Sequence, residues 1–143
     1  MSMNDRERTE KMGTFATIDE ARDHFRKDRF ATDAGMVVDE MGDDYSVCSV
    51  VLNDGHRNAY GGVMGGVIFT LADFAFAVCA NNIHSLSVAQ QVSINYLSAP
   101  KGTKLIAKAR CIKNGKTTSV LNVDVSDDTG RDVALFVGTA FKL

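Results

Sequence analysis

Residues 67–80 read VIFTLADFAFAVCA, from Val67 to Ala80. Apolar side chains occupy nearly every side of this segment as a helix, which predicts a buried helix. Its one charge is Asp73, near the middle. Burying a carboxylate costs several kcal/mol unless it is paired or hydrogen-bonded. Leu or Ala would serve a core better, so Asp73 is a candidate functional group. Gly65 and Gly66 stand just before the segment, where a helix start exposes backbone N–H groups to close approach. Together these parts suggest a base or nucleophile and an oxyanion site.

The flanking sequence supplies the helix's cover. Upstream, residues 18–30 (IDEARDHFRKDRF) space Ile18, Ala21, Phe25 and Phe30 at roughly helical intervals, and Gly35 ends that unit. Strand-like runs follow at 36–41 and 45–52, with Gly42, Asp43 and Asp44 between them. Residues 53–66 (NDGHRNAYGGVMGG) are too glycine-dense for a regular element. Asn81 and Asn82 are the expected helix stops. Four further strands are expected at about 86–97, 103–113, 116–126 and 132–142, with Asn114-Gly115 as a hairpin signal. Leu121, Val123 and Val125 alternate with Asn122, Asp124 and Ser126, the pattern of one buried and one wet face. A long central helix with a curved antiparallel sheet around it is an α+β arrangement, and a second subunit can complete the cover.

Composition fits one domain. The chain has 143 residues, one proline (Pro100) and a formal net charge of -2. Residues 1–17 read as a flexible polar segment and 18–143 as a single domain. The charged start lacks the apolar core of a signal peptide, and no apolar run reaches the ~20 residues of a bilayer span. Cys48, Cys79 and Cys111 lie in apolar runs without a CxxC pair, as expected of reduced core cysteines in a cytoplasmic protein. His24, His56 and His84 have no zinc-type spacing with them, so no metal is implied.

The pattern His56-x-Asn58-x-x-Gly61-x-x-Met64-Gly65-Gly66, then Ile68-Phe69-Thr70-Leu71-Ala72-Asp73, resembles the phenylacetate-degradation-type hotdog thioesterases. Those show H-x-N-x-x-G-x-x-H-G-G before a helix carrying L-A-D. HFRKDRFATDAGM and SINYLSAPKG are similar to the same family, so the likeness runs from about residue 22 to the C-terminus. The resemblance implies a hotdog fold and hydrolysis of an acyl-CoA thioester, with coenzyme A as part of the substrate and no other cofactor. It departs at Met64, where the family has histidine; a thioether neither titrates nor donates a useful hydrogen bond.

Under that resemblance Asp73 is the general base or the nucleophile, and the Gly65 and Gly66 N–H groups hold the oxyanion. Gly65 and Asp73 are eight positions apart, about 12 Å along one helix at 1.5 Å per residue. One thioester reaches both only if two antiparallel helices meet across a two-fold axis, which predicts a homodimer with composite sites, and the family also forms tetramers of two dimers. Asn58 either orients the carboxylate or water, or hydrogen-bonds its own loop. His56 either serves the site or braces the glycine loop. Thr70 either bonds Asp73 or bonds back to its own helix. Phe69, Phe74 and Phe76 read as packing, with one of them open to lining an aromatic acyl pocket.

Lys104, Lys108 and Arg110 share a strand face, either an ordinary solvated face or one that meets the phosphates of coenzyme A. The hairpin at Lys116 and Thr117 resembles a family turn near the coenzyme A entrance. Without interleaved aromatics the basic face does not suit nucleic acid. Two other readings stand beside the thioesterase. One is a hotdog hydratase, which needs an active-centre histidine that Met64 does not provide. The other is an acyl-CoA-binding protein of little or no activity.

Overall fold

The computed structural model describes residues 13–143. The flexible segment expected at 1–17 thus lies largely outside the described residues. Its last part is docked rather than frayed. The Thr14 N–H donates to the Asn82 carbonyl (2.8 Å) and the Phe15 N–H to Asn82 Oδ1 (3.2 Å). Phe15 itself is buried.

The chain forms helix α1 (Ile18–Phe25), helix α2 (Arg29–Asp33), strands β1 (Val37–Met41) and β2 (Tyr45–Val51), and a short turn of 3-10 helix at Asp54–His56. Helix α3 (Gly65–Ile83) and strands β3 (Ser87–Tyr96), β4 (Lys104–Asn114), β5 (Thr118–Asp127) and β6 (Asp132–Lys142) follow. One six-stranded sheet has the order β1-β2-β4-β5-β6-β3, every pair antiparallel. Register shifts in β1, β3 and β4, and in the β5–β6 pairing, curve the sheet, and α3 touches all six strands. This is the hotdog architecture expected from residues 67–80.

The alternation in β5 holds: Leu121, Val123 and Val125 are buried against α3 while Asp124 faces solvent. At the core's centre the Phe136 ring lies 5.6 Å from Phe69 and 5.7 Å from Phe76. Gly138, next along the inner face of β6, must lack a side chain because a Cβ there would stand 2.5 Å from the Phe76 ring. The three cysteines are free. Burial pushes the Cys79 thiol up to about 12, which suits a packing role.

Three local expectations are corrected. The segment 18–30 is two helices, because the polar run Arg26-Lys27-Asp28 offers nothing to bury and the chain turns there to bring both Phe25 and Ala31 inward. Gly65 and Gly66 are the first residues of α3 rather than its prelude, with Met64 as N-cap. Asn81 and Asn82 do not stop the helix, which runs on to Ile83. Asn82 is buried because its side chain ties the incoming N-terminal segment and the Gly42 carbonyl to the helix end. With these additions α3 has 19 residues and is long and apolar enough, by length and composition alone, to cross a bilayer. More than half of it is packed inside the fold, so its apolar content is core.

The cover that one chain leaves incomplete matters most for function. The helix is not covered on every side. Gly66, Thr70, Asp73, Ala77 and Asn81, spaced four, three, four and four residues apart, form one stripe with residual exposure. The curved sheet covers the opposite face, and a single chain has no layer left for this one.

Candidate active site

Asp73 is half-buried on the open stripe of α3 and faces a cavity of about 280 Å³. Thr70, Phe74 and Ala77 supply the helix side of that cavity, and Asp28, Arg29 and Phe30 of the α1–α2 corner supply the other. The carboxyl of Asp73 has no side-chain donor among the described residues. Thr70, one turn earlier, donates to the Gly66 carbonyl (2.7 Å), bonding back to its own helix. Arg29 is held by both carboxylate oxygens of Asp33 at 3.2 Å. Burial raises the Asp73 carboxyl above its ordinary value, and the neighbouring Asp28 raises it further.

The contrast with Asp127 shows what a structural acid looks like here. Asp127 is buried at a β-turn and accepts from the N–H groups of Lys101, Gly102, Thr129 and Arg131 and from the Thr129 hydroxyl. These donors hold its carboxyl well below the usual carboxylate range. Asp73 has the opposite setting, a charge partly removed from water with no described residue donating to it. Its raised native value means that the folded state disfavours the ion. The associated stability is present below the ordinary value of 3.8 and is lost as pH rises through the native value. Asp73→Asn is therefore expected to raise the urea midpoint at neutral pH, with the gain shrinking as pH is lowered toward 3.8. An unchanged or lower midpoint at neutral pH would contradict this account.

The other expected site residues gather in the loop that leads into α3. His56 is buried and braces that loop: Nε2 donates to the Ala34 carbonyl (2.8 Å), leaving Nδ1 to accept the Asn53 N–H (3.1 Å). Its carbonyl accepts the Met64 N–H (2.9 Å), so one histidine ties the end of α2 to the start of α3. Asn58 Oδ1 accepts the Tyr60 N–H (2.9 Å) and the Gly62 N–H (3.1 Å), closing its own turn. Both side chains thus hold the loop that presents Gly65. Tyr96 of β3 donates to the Gly65 carbonyl (3.1 Å). A Cβ on Gly66 would meet nothing within 4 Å, so the helix start is open to a ligand.

Within one chain the residues expected at the site therefore form two groups. None of His56, Asn58, Gly65 and Gly66 lines the Asp73 cavity. Lys116 and Thr117 are exposed at the β4–β5 hairpin, and the Thr117 carbonyl accepts the N–H of Lys142. Strand register puts that hairpin at the end of the sheet holding the C-terminus of α3, away from Gly65. On the outer sheet face Lys108 stands opposite Asp124, so the basic stripe is interrupted by an acid from the next strand. Asp28 was hidden from sequence reasoning because it falls at the unforeseen break between α1 and α2, and Phe30, expected on the apolar face of one helix, is instead exposed at the cavity.

Residues 60–134 match the family model described as the thioesterase superfamily. A relative from Archaeoglobus fulgidus is 35% identical over 105 residues, 73% of this chain and 68% of its own. The acyl-coenzyme A thioesterase PaaI of Escherichia coli is 28% identical over 120 residues, covering 83% of this chain and 86% of that protein. The solved E. coli PaaI structure superposes with a TM-score of 0.81 at 27% identity, over 86% of this chain and 90% of that one. A hypothetical thioesterase protein of Streptococcus pneumoniae, solved with coenzyme A, gives 0.75 at 30% identity over 82% and 94% of the two chains.

Proposed function

Starting from a chain that belongs to the thioesterase superfamily, we propose an acyl-CoA thioesterase that hydrolyses its substrate to the free acid and coenzyme A at sites shared between two subunits. The observation that carries this reading is Asp73 itself, an acid with no donor among the described residues, on an uncovered stripe of an apolar helix. Asp73 takes a proton from a water whose oxygen attacks the thioester carbonyl carbon. The carbonyl π electrons move to oxygen, and the Gly65 and Gly66 N–H groups stabilise that charge at the start of α3. Collapse of the intermediate breaks the C–S bond, and the proton held by Asp73 passes to the departing thiolate.

Two features support the dimer. The uncovered stripe needs a partner, and β3 is an edge strand of 10 residues whose outer backbone groups have no neighbour in the described chain. Exposed Tyr96 and Met64 add apolar surface beside the helix start. Two copies joined with antiparallel α3 helices would bring Asp73 of one to the Gly65 end of the other. The same operation would carry the Lys116–Thr117 hairpin toward that end, which is why we assign it to coenzyme A. Three free thiols fit a reducing cytoplasm.

Subunit complementation tests the reading. Gly65→Pro removes one N–H at the first helical position, which proline tolerates, and the preceding Met64 has the extended φ -65 and ψ 133 that proline requires of its neighbour. Free-thiol release from a panel of aromatic and aliphatic acyl-CoAs is expected to fall about 100-fold in this variant. Equal mixing with Asp73→Asn by denaturation and refolding is expected to restore about a quarter of wild-type turnover, because half the dimers then hold one intact composite site. Inactive mixtures of two folded variants would mean that base and oxyanion site belong to one chain. No thiol release by wild type on any substrate, with the thioesters still bound, would make this an acyl-CoA-binding protein, the reading that Met64 favours.

A further inference from the structure

Asp28 is the N-cap of the short helix α2, yet its side chain makes no capping hydrogen bond. It lines the same cavity as Asp73 from the opposite wall. Like Asp73 it has no side-chain donor among the described residues, and its backbone carbonyl, not its carboxylate, accepts the Thr32 N–H and hydroxyl. A cap residue that does not cap, aimed into a cavity facing another acid, has no structural task that Asn or Ser would not do better.

We propose, resting on the thioesterase reading, that Asp28 is a positioning residue for the base: its negative charge across the cavity keeps Asp73 a stronger proton acceptor than burial alone would make it. Two carboxylates sharing one partly dry space do not ionise independently, and the pair titrates as a unit. The charged neighbours are few. Arg29 lines the cavity but is engaged by Asp33. His24 of α1 stands behind Asp28 and favours its ionised form, against the burial that disfavours it. Helix α3 carries no charge besides Asp73, and the buried residues of the sheet are apolar apart from Ser49, Ser87, Ser119, Ser46 (whose hydroxyl donates to the Ala75 carbonyl) and Asp127, the last held at its own turn by backbone donors. Asp28 is thus the charge across the cavity that acts on the basicity of Asp73. It does so without touching substrate.

The test is the pH dependence of kcat/KM in Asp28→Asn and Asp28→Glu. Asparagine keeps the shape and the capping capacity of the position, and glutamate keeps the charge. In the asparagine variant the acid limb is expected to move to lower pH by about half a unit or more. Its plateau kcat is expected to fall roughly two- to five-fold, with little change in KM, because Asp73 becomes a weaker base. Glutamate should restore the limb. A limb that stays in place in asparagine, or moves equally in both variants, overturns the proposal.

The carboxyl ¹³C titration of Asp73, assigned by its loss in Asp73→Asn, gives a readout independent of turnover. A downward shift of that titration in Asp28→Asn upholds the coupled pair even if no thioester is hydrolysed, in which case it is the thioesterase reading that fails. An unshifted titration in an active enzyme rejects Asp28 and leaves the thioesterase in place.

Discussion

Asp73→Asn is expected to lower acyl-CoA turnover by at least ~100-fold while leaving the thioester bound, since a general base contributes on the order of 10² to 10⁴ in rate. The substitution changes little else. Asparagine fits the half-buried site, and no hydrogen bond to the Asp73 side chain is lost because none is made among the described residues. A cavity of about 280 Å³ keeps its shape. The effect should therefore appear in kcat, with KM nearly unaltered, the mark of an interaction that matters only in the transition state. Free-thiol release under saturating substrate, with binding measured separately by calorimetry, checks both halves. Wild-type turnover in the variant would remove Asp73 from the chemistry and leave it as a tolerated core acid.

Phe136→Ala should cost about 3–5 kcal/mol of stability, the range for deleting a fully buried phenyl ring. Phe136 is 0% exposed and stands between Phe69 and Phe76, both on α3. Its removal opens a void where the sheet grips the helix that carries Asp73, and Gly138 beside it has no side chain to fill the space. The neighbours cannot collapse far, because Phe76 is already packed against the Gly138 backbone. A urea midpoint lowered by an amount matching that cost at unchanged slope is the expected result. A loss below about 1 kcal/mol would show that the core rearranges around the missing ring.

The legibility of this molecule follows the range of the forces involved. The α+β order, the six strands and the hairpin at Asn114-Gly115 were readable because periodicity and turn chemistry act between near neighbours. The two-helix corner was not. The decision to turn at Arg26–Asp28 is made by burial of Phe25 and Ala31 against residues far along the chain. Asn82 misled in the same way. Its side chain is a helix stop by local preference, yet contacts with Phe15 and Gly42 hold it inside the helix.

The candidate site divides likewise. Asp73, Gly65 and Gly66 stood out in sequence, because a charge in an apolar run and a glycine pair before it are anomalies that need no partner to be seen. His56 and Asn58 were marked by their motif, but only their hydrogen bonds show them bracing the loop. Which stripe of α3 stays uncovered, and the cavity that Asp28 shares with Asp73, were invisible, since both arise where distant segments meet. By itself the sequence determined the order of the six strands and the long helix, the family and the acid at the centre of that helix, all carried by local pattern. Only the tertiary structure decided which face of that helix stays open and which second acid looks onto it. Those depend on how a curved sheet and a helical corner pack around one apolar rod, a geometry no spacing along the chain encodes.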